Sequence, residues 1–420
     1  MYFRQTILDQ QAELQRFISQ DWVPREAAVE FNRPTRLIRI ITGVRRSGKS
    51  TLAMHQLKGT SFGYVNFDDE RLSGLDPARL NDVLSSVYEV YGDVTCLFFD
   101  EIQNVHDWSL FINRLQRAGN QIVVTGSNSK LLSSELATHI TGRYKTIELF
   151  PFSFSEFLVA QKMDAETSTT RSRALVRNAF QNYMLSGGFP EILVGQENNR
   201  YARDLFFSII SRDILNRYQI QNPRAFKDLA VFLATNTGKE ISYNRLKNLF
   251  LLGSAHTAKN YVDYLEEAYV VSTIGKFSWK NQETLRYRKS YIIDVAFFHA
   301  LTGSGTANTG FLFETIVYLE LLSRKEITGN EYYYYKGKQE VDFVVRHNLE
   351  IIALIQVCHD TSDIGTLKRE VNGLLEASEA LKCDHLMIIT DNQSEERDYG
   401  DKVIRFCPIT DWLLDKKNRF

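Results

Sequence analysis

The stretch Arg36-Leu-Ile-Arg-Ile-Ile-Thr-Gly-Val-Arg-Arg-Ser-Gly-Lys-Ser-Thr51 constrains what this chain can fold into more than any other. Leu37, Ile38, Ile40 and Ile41 form an apolar run that reads as a buried strand, which breaks at Gly43 before a helix that starts near Lys49. The spacing Gly43-x4-Gly48-Lys49-Ser50 matches a phosphate-binding loop at each fixed position. Glycines permit the positive φ angles that turn successive backbone N–H groups inward into an anion nest. The N-terminus of the following helix adds partial positive charge at the same place. In this reading Gly43, Arg45, Arg46, Ser47, Gly48 and Thr51 complete the cradle for the phosphates of a nucleotide. Lys49 reaches the β/γ-phosphates, and the Ser50 hydroxyl ligates Mg²⁺.

A glycine turn before an ordinary helix would carry the same short pattern, so a second motif has to decide. Thr95-Cys-Leu-Phe-Phe-Asp-Glu101 is a further apolar strand that ends in two adjacent carboxylates. Asp100 is placed to hold the Mg²⁺ water shell, and Glu101 to polarise the attacking water. Gln121-Ile-Val-Val-Thr-Gly-Ser-Asn128 is another strand ending in polar residues. From there Asn128 can report the γ-phosphate, although Ser127 or Asn128 would also serve as a helix cap. A fifth strand lies within Thr141–Phe150 and is preceded by Arg143. Arg143 is a candidate to stabilise the transition state in a neighbouring subunit, against the alternative of a surface salt bridge. Strands at 62–67, 95–100 and 121–128 alternate with helical stretches at 79–91 and 108–117, which implies a parallel sheet with ligands at the C-terminal strand ends.

Five motifs together resemble a bacterial and archaeal group of AAA-like P-loop ATPases. They are Gly-Val-Arg-Arg-Ser-Gly-Lys-Ser-Thr, Phe-Phe-Asp-Glu-Ile-Gln, Thr-Gly-Ser-Asn-Ser, Thr-Gly-Arg and Pro151-Phe-Ser-Phe-Ser-Glu-Phe157. Leu185-Ser-Gly-Gly-Phe-Pro-Glu191 also resembles the group. The likeness is strong over residues 20 to about 220 and less specific beyond. It implies phosphate, magnesium and water-activating roles for Lys49, Ser50, Asp100 and Glu101. It also implies a sensor at Asn128 and an arginine finger at Arg143, and a finger acting in trans implies a homo-oligomer.

The expected fold class is α/β. A P-loop sheet with an N-terminal helix occupies 1–152, and a helical lid 153–222. Asn222-Pro-Arg224 breaks the helical pattern there. Three helical segments and two β-type stretches over 223–293 read as a winged helix, with a recognition helix that starts at Ser254 and carries His256, Thr257, Lys259 and Asn260. Residues 200–289 hold fifteen Lys/Arg against eight Asp/Glu in a chain of net charge −1. Lys276, Lys280, Arg286, Arg288 and Lys289 fall on or beside the wing, so DNA is a candidate partner through 254–289. Winged helices also serve as protein-binding modules, so a protein partner is the alternative.

Residues 294–420 resemble the restriction-endonuclease-like α/β fold, in which a helix glutamate, a strand aspartate and a later Glu-x-Lys hold Mg²⁺. Glu314 and Asp342 fill the first two places, but the third reads Gln356-Val-Cys358. Glutamine supplies no anionic ligand and cysteine no positive charge, so a domain that has lost cleavage is expected. Glu340 and Asp342 as plain strand-end surface acids are the simpler alternative.

Cys96, Cys358, Cys383 and Cys407 are far apart and form no Cys-x-x-Cys, which argues against a zinc site or disulfide framework and fits a reducing cytoplasm. No apolar run reaches membrane-spanning length, so no membrane role is expected. The function these readings favour is an ATP-hydrolysing AAA-type protein whose nucleotide state gates DNA or partner-protein engagement. An ATP-regulated nuclease and a non-hydrolysing, nucleotide-bound signalling scaffold are the rivals.

Overall fold

Five short strands rich in β-branched and aromatic residues build the first sheet of the computed structural model, which describes residues 3–127, 142–195, 199–279, 284, 286–303 and 309–415. They are β1 (Ile38–Thr42), β2 (Phe62–Asn66), β3 (Cys96–Asp100), β4 (Gln121–Gly126) and β5 (Tyr144–Glu148). Their order is β2-β3-β4-β1-β5, with every pairing parallel. Successive side chains of a strand face opposite layers. Leu97, Phe99, Ile122 and Val124 therefore join one core with Val83, Val87, Trp108 and Ile112 of the helices Leu80–Tyr91 and Trp108–Arg117. Cys96, Phe98 and Val123 join the other, with Leu52 and Ala53 of helix Lys49–Gln56. Helix Arg4–Ser19 supplies Ile7 to the first core and Leu14 to the second. Both faces are covered, as a parallel sheet requires.

The chain divides into two compact units, and this sheet belongs to Met1–Phe150 with Glu267–Tyr269. The second unit holds Pro151–Glu266 and Val270–Phe420. In it β6 (Lys239–Ile241), β7 (Val271–Gly275) and β8 (Arg288–Ile292) form an antiparallel sheet of order β6-β8-β7. The helices Pro223–Thr235, Tyr243–Leu249 and Ala255–Glu267 accompany it. Ser254 Oγ accepts the Thr257 N–H at 3.0 Å, which caps the last of these helices where the sequence starts it.

A six-stranded mixed sheet follows. It comprises β9 (Asn330–Lys336), β10 (Glu340–His347), β11 (Glu350–Cys358), β12 (Leu386–Thr390), β13 (Glu395–Tyr399) and β14 (Lys402–Pro408). The order is β13-β14-β12-β11-β10-β9, parallel between β11 and β12 and between β12 and β14. Helix Ile364–Leu381 makes the crossover from β11 to β12 and buries Val371, Leu374 and Ala377 on one face of the sheet. The other face packs on helix Thr309–Thr328 through Phe313, Ile316 and Val317. Phe154, Phe157, Phe180 and Tyr183 share that second core, so the helices at 154–186, expected as a lid, pack within the second unit. The reason is a continuous aromatic face: Phe180 meets Phe313 edge-on at 5.6 Å.

The motif Leu185-Ser-Gly-Gly-Phe-Pro has a local physical cause. Phe152 N–H donates to Gly188 O at 2.7 Å, and a Cβ on Gly188 would lie 2.3 Å from Phe152 O. Asp294 accepts the N–H groups of Gly188 and Ala296, each at 2.8 Å.

Candidate nucleotide site

The loop between β1 and helix Lys49–Gln56 bends as its glycines allow, with positive φ at Gly43 (143°), Arg46 (69°) and Gly48 (88°). Gly43 is forced by space as well, because a Cβ there would sit 2.0 Å from Leu149 O, beyond the end of β5. Ser47 is buried, Gly48 and Arg45 are half-buried, and Arg46 and Thr51 lie at the surface. Lys49 is 4 % exposed, and its Nζ donates to the carbonyls of Gly43 and Val44, each at 3.0 Å. The buried hydroxyls of Ser47 and Ser127 have no hydrogen-bond partner among the described residues. A buried lysine folded onto loop carbonyls and two orphaned hydroxyls fit a polyanion that would take up these groups.

Beneath the loop, Asp100 gathers three hydroxyls. Ser50 Oγ donates to Oδ1 at 2.7 Å, Thr125 Oγ1 donates to the same oxygen, and Tyr64 Oη donates to Oδ2 at 3.2 Å. Asp100 is buried, and burial followed by the neighbouring Glu101 charge raises its pKa to about 6, against the pull of those donors. The Ser50–Asp100 pair is the donor set expected for Mg²⁺ in P-loop sites, a hydroxyl opposite a carboxylate at a strand end. Glu101 turns out of the strand with φ 51°. Its N–H donates to Thr125 Oγ1 at 3.1 Å, and its carboxylate accepts from Gln103 Nε2.

Lys49, Ser50, Asp100 and Glu101 are thus brought to one end of the sheet. Asn128 lies outside the described residues. Arg143 stands at the opposite strand ends: its carbonyl accepts the N–H of Ile38, the first residue of β1, and its Nη1 lies 3.3 Å from Asn113 Oδ1. The phosphate loop is at the far end of β1, so Arg143 does not serve the loop of its own chain.

Sequence reasoning missed Tyr64, Gln103 and Arg25. Tyr64 faces the same layer as Asp100 because both occupy alternate positions of adjacent parallel strands, with Asn66 opposite Asp100. Arg25 Nη1 and Nη2 donate to Ser47 O and Phe150 O, each at 2.6 Å, tying the loop to the end of the sheet. Nothing in the string Trp22-Val-Pro-Arg25 advertises that role.

The basic wing requires a correction. Lys289 is 2 % exposed and ion-paired with Glu314, Glu340 and Asp342. Arg288 lies 3.4 Å from Glu266, and Lys259 of the expected recognition helix 3.0 Å from Asp263. Alternation along β8 turns Lys289 inward, so it is not available to a phosphate backbone. Lys280 lies outside the described residues. The alternative of Glu340 and Asp342 as plain surface acids also fails for Asp342, which is 6 % exposed. Among the described residues no helix is long and apolar enough to cross a membrane.

The sheet order, the loop and the Ser50–Asp100 pair define a P-loop domain of AAA type, and an AAA-domain family model matches residues 35–158. Two domains of unknown function, DUF8612 and DUF4143, match residues 177–308 and 309–412. In this chain the AAA domain is followed by those two domains, and the chain belongs to a family with uncharacterized members in archaea and bacteria. The uncharacterized protein MJ1544 of Methanocaldococcus jannaschii is 34% identical over 397 residues, covering 90% of this chain and 88% of the relative. An uncharacterized protein of Haemophilus influenzae is 30% identical over 401 residues, covering 90% of this chain and 95% of the relative. Among solved structures, the Walker-type ATPase PABY2304 of Pyrococcus abyssi aligns with a TM-score of 0.43 at 15% identity, over 67% of this chain and 97% of that one.

Proposed function

We propose that this protein is a Mg²⁺-dependent ATPase whose nucleotide state governs engagement of a partner through its second unit. The observation that carries the reading is the Ser50–Asp100 hydrogen bond of 2.7 Å beneath a loop whose buried Lys49 reaches the carbonyls of Gly43 and Val44. Phosphate oxygens are better partners for that ammonium than neutral carbonyls, so Lys49 moves onto the β/γ-phosphates. Ser50 and Asp100 hold the metal, which when bound neutralises charge that develops on the phosphates. Glu101, once its carboxylate leaves Gln103, orients and polarises the attacking water, with Asn128 as the reporting sensor. Arg143 acts only from a second copy of the chain, consistent with its distance from its own loop.

Within the second unit, three helices with a β6-β8-β7 sheet support a winged-helix reading. Helix Thr309–Thr328 with β9–β12 supports a restriction-endonuclease-like one, in which Glu314 and Asp342 meet but Gln356 and Cys358 stand where a ligand and a lysine are needed. Between the two partner classes, a protein is better supported than DNA. Lys289, Arg288 and Lys259 are engaged with carboxylates, while Leu249 and Leu251, in and after the second helix, are 52% and 89% exposed.

The test is phosphate release from ATP by the native chain, Lys49→Ala and Glu101→Gln, each with and without duplex and single-stranded DNA. Lys49→Ala should lose ATP binding with the fold intact, and Glu101→Gln should bind ATP without turning it over. Unchanged ATP affinity in Lys49→Ala would sink the site. Stimulation by DNA would reverse the preference for a protein partner. Tight nucleotide retention without any turnover would favour the signalling scaffold.

A further inference from the structure

Side chains two apart on a strand share a face, and β8 uses this to send Lys289 and Tyr291 to one place. Lys289 Nζ lies 3.0 Å from Glu314 Oε1, and Tyr291 Oη donates to the same oxygen at 2.7 Å. The same ammonium lies 2.7 Å from Glu340 Oε1 and 3.4 Å from Asp342 Oδ1. It also sits over the Tyr334 ring, 5.6 Å from its centroid. The acids converge from helix Thr309–Thr328 and from two same-face positions of β10. Asp342 is held further by β11, where Val357 N–H donates to Oδ2 at 3.0 Å and Gln356 Oε1 accepts the Asp342 N–H at 3.2 Å.

A cleft of about 520 Å³ opens on this cluster, lined also by Cys358, Arg369 and Glu370. Its carboxylates are Glu314, Glu340, Asp342, Asp360, Asp363 and Glu370, against the single guanidinium of Arg369. Even with Lys289 counted, the lining is strongly negative and repels a phosphodiester unless a metal screens it.

A buried ammonium and a buried set of carboxylates are each costly alone and tolerable together. Burial pulls Lys289 toward its neutral form, but the charges of Glu314, Asp342 and Glu340 outweigh it and raise its pKa. Several carboxylate oxygens converging on one cation is the environment a hard divalent ion takes, at separations of roughly 2.0–2.6 Å. We propose that Lys289 is a tethered cation that stands in the place of a divalent metal among Glu314, Glu340 and Asp342, so that the native cleft takes no divalent ion there. The acids are then kept in place without metal, and the cleft lacks the Lewis acid that phosphodiester cleavage would need. Gln356 and Cys358 are substitutions such a site tolerates, since neither has to balance a metal's charge.

The experiment is Mn²⁺ binding to full-length, nucleotide-free protein, followed by electron paramagnetic resonance and titration calorimetry. The native chain and Asp342→Asn are expected to bind Mn²⁺ equally, because any ion they take lies elsewhere. Lys289→Met, which keeps most of the side-chain volume, should gain a further Mn²⁺ with a Kd on the order of 0.1–1 mM, the range of weak carboxylate sites. That gain should vanish in Lys289→Met with Asp342→Asn. Circular dichroism identifies the variants that fold. A native chain that loses a bound Mn²⁺ on Asp342→Asn would overturn the proposal, and that comparison stands even if Lys289→Met does not fold. A folded Lys289→Met that gains no Mn²⁺ would overturn it as well.

Discussion

Tyr64→Phe removes one hydroxyl from the three that converge on Asp100 and leaves the ring in its core. The lost hydrogen bond is 3.2 Å long and goes to a buried carboxylate. Bonds to charged groups are worth about 1.5–3 kcal/mol, and this length places it at the lower end. Because the bond stabilises only the charged form, its loss raises the Asp100 pKa by about one unit. The native value of about 6 is set by burial and by Glu101, with the three hydroxyls pulling the other way. In the proposed mechanism only ionised Asp100 would hold Mg²⁺. Affinity for Mg²⁺–ATP should therefore be flat at high pH and fall about tenfold per pH unit below a break near 6, moving to about 7 in Tyr64→Phe. At pH 6 the ionised fraction drops from about a half to about a tenth, a roughly fivefold weakening, whereas at pH 8 the two proteins should bind alike. Calorimetric titration across pH 5–8 reads this directly, and comparing the two proteins cancels the ionisation of the nucleotide. A break that does not move, or a loss of affinity equally large at pH 8, would refute the assignment of Tyr64 to the Asp100 carboxylate.

Gly43→Ala sets a Cβ 2.0 Å from Leu149 O at a φ of 143°, and should destabilise the first unit by on the order of 4 kcal/mol in urea unfolding; a loss under about 1 kcal/mol would mean the loop has another conformation. Arg25→Ala frees the carbonyls of Ser47 and Phe150, so ATP affinity should fall about tenfold while the second unit melts unchanged; equal ATP affinity would remove Arg25 from the loop's support. Asp294 tests pH dependence. Burial raises its pKa to about 7 despite the N–H groups of Ala296 and Gly188. A carboxyl raised in the folded state gives stability that is complete below its unfolded pKa and lost as pH rises through the folded one, here between about pH 4 and 7 and on the order of 4 kcal/mol. Asp294→Asn should flatten that slope in chemical unfolding at a fixed loss of about 1 kcal/mol, since the two N–H groups go to different carboxylate oxygens and asparagine keeps only one of them as an acceptor; an unchanged slope would assign it to other groups.

Local chemistry made the first unit legible. A glycine pattern that suits an anion-binding turn, and acids at the end of an apolar strand, are each written in contiguous residues and together settle what neither would alone, so Lys49, Ser50, Asp100 and Glu101 meet where their spacing says. β6, β13 and β14 escaped notice because β6 is three residues long and the β13–β14 hairpin alternates many charges at an exposed edge. The winged segment was legible as helices and strands but misleading as a surface. A count of Lys and Arg gives charge without direction, and strand alternation turns Lys289 from solvent into a cluster of acids that lie 25, 51 and 53 residues further on.

The sequence by itself therefore determined the phosphate loop, the acidic strand end and the parallel sheet, because each follows from the spacing of neighbours along the chain. Only the tertiary structure decided that Tyr64 and Thr125 hold Asp100, that Arg25 braces the loop, and that Phe154 and Phe180 build the second unit's core. It alone placed Lys289 among Glu314, Glu340 and Asp342. Each of these depends on which faces of distant elements meet, and burial then fixes the partners, since a polar group taken from water must find one.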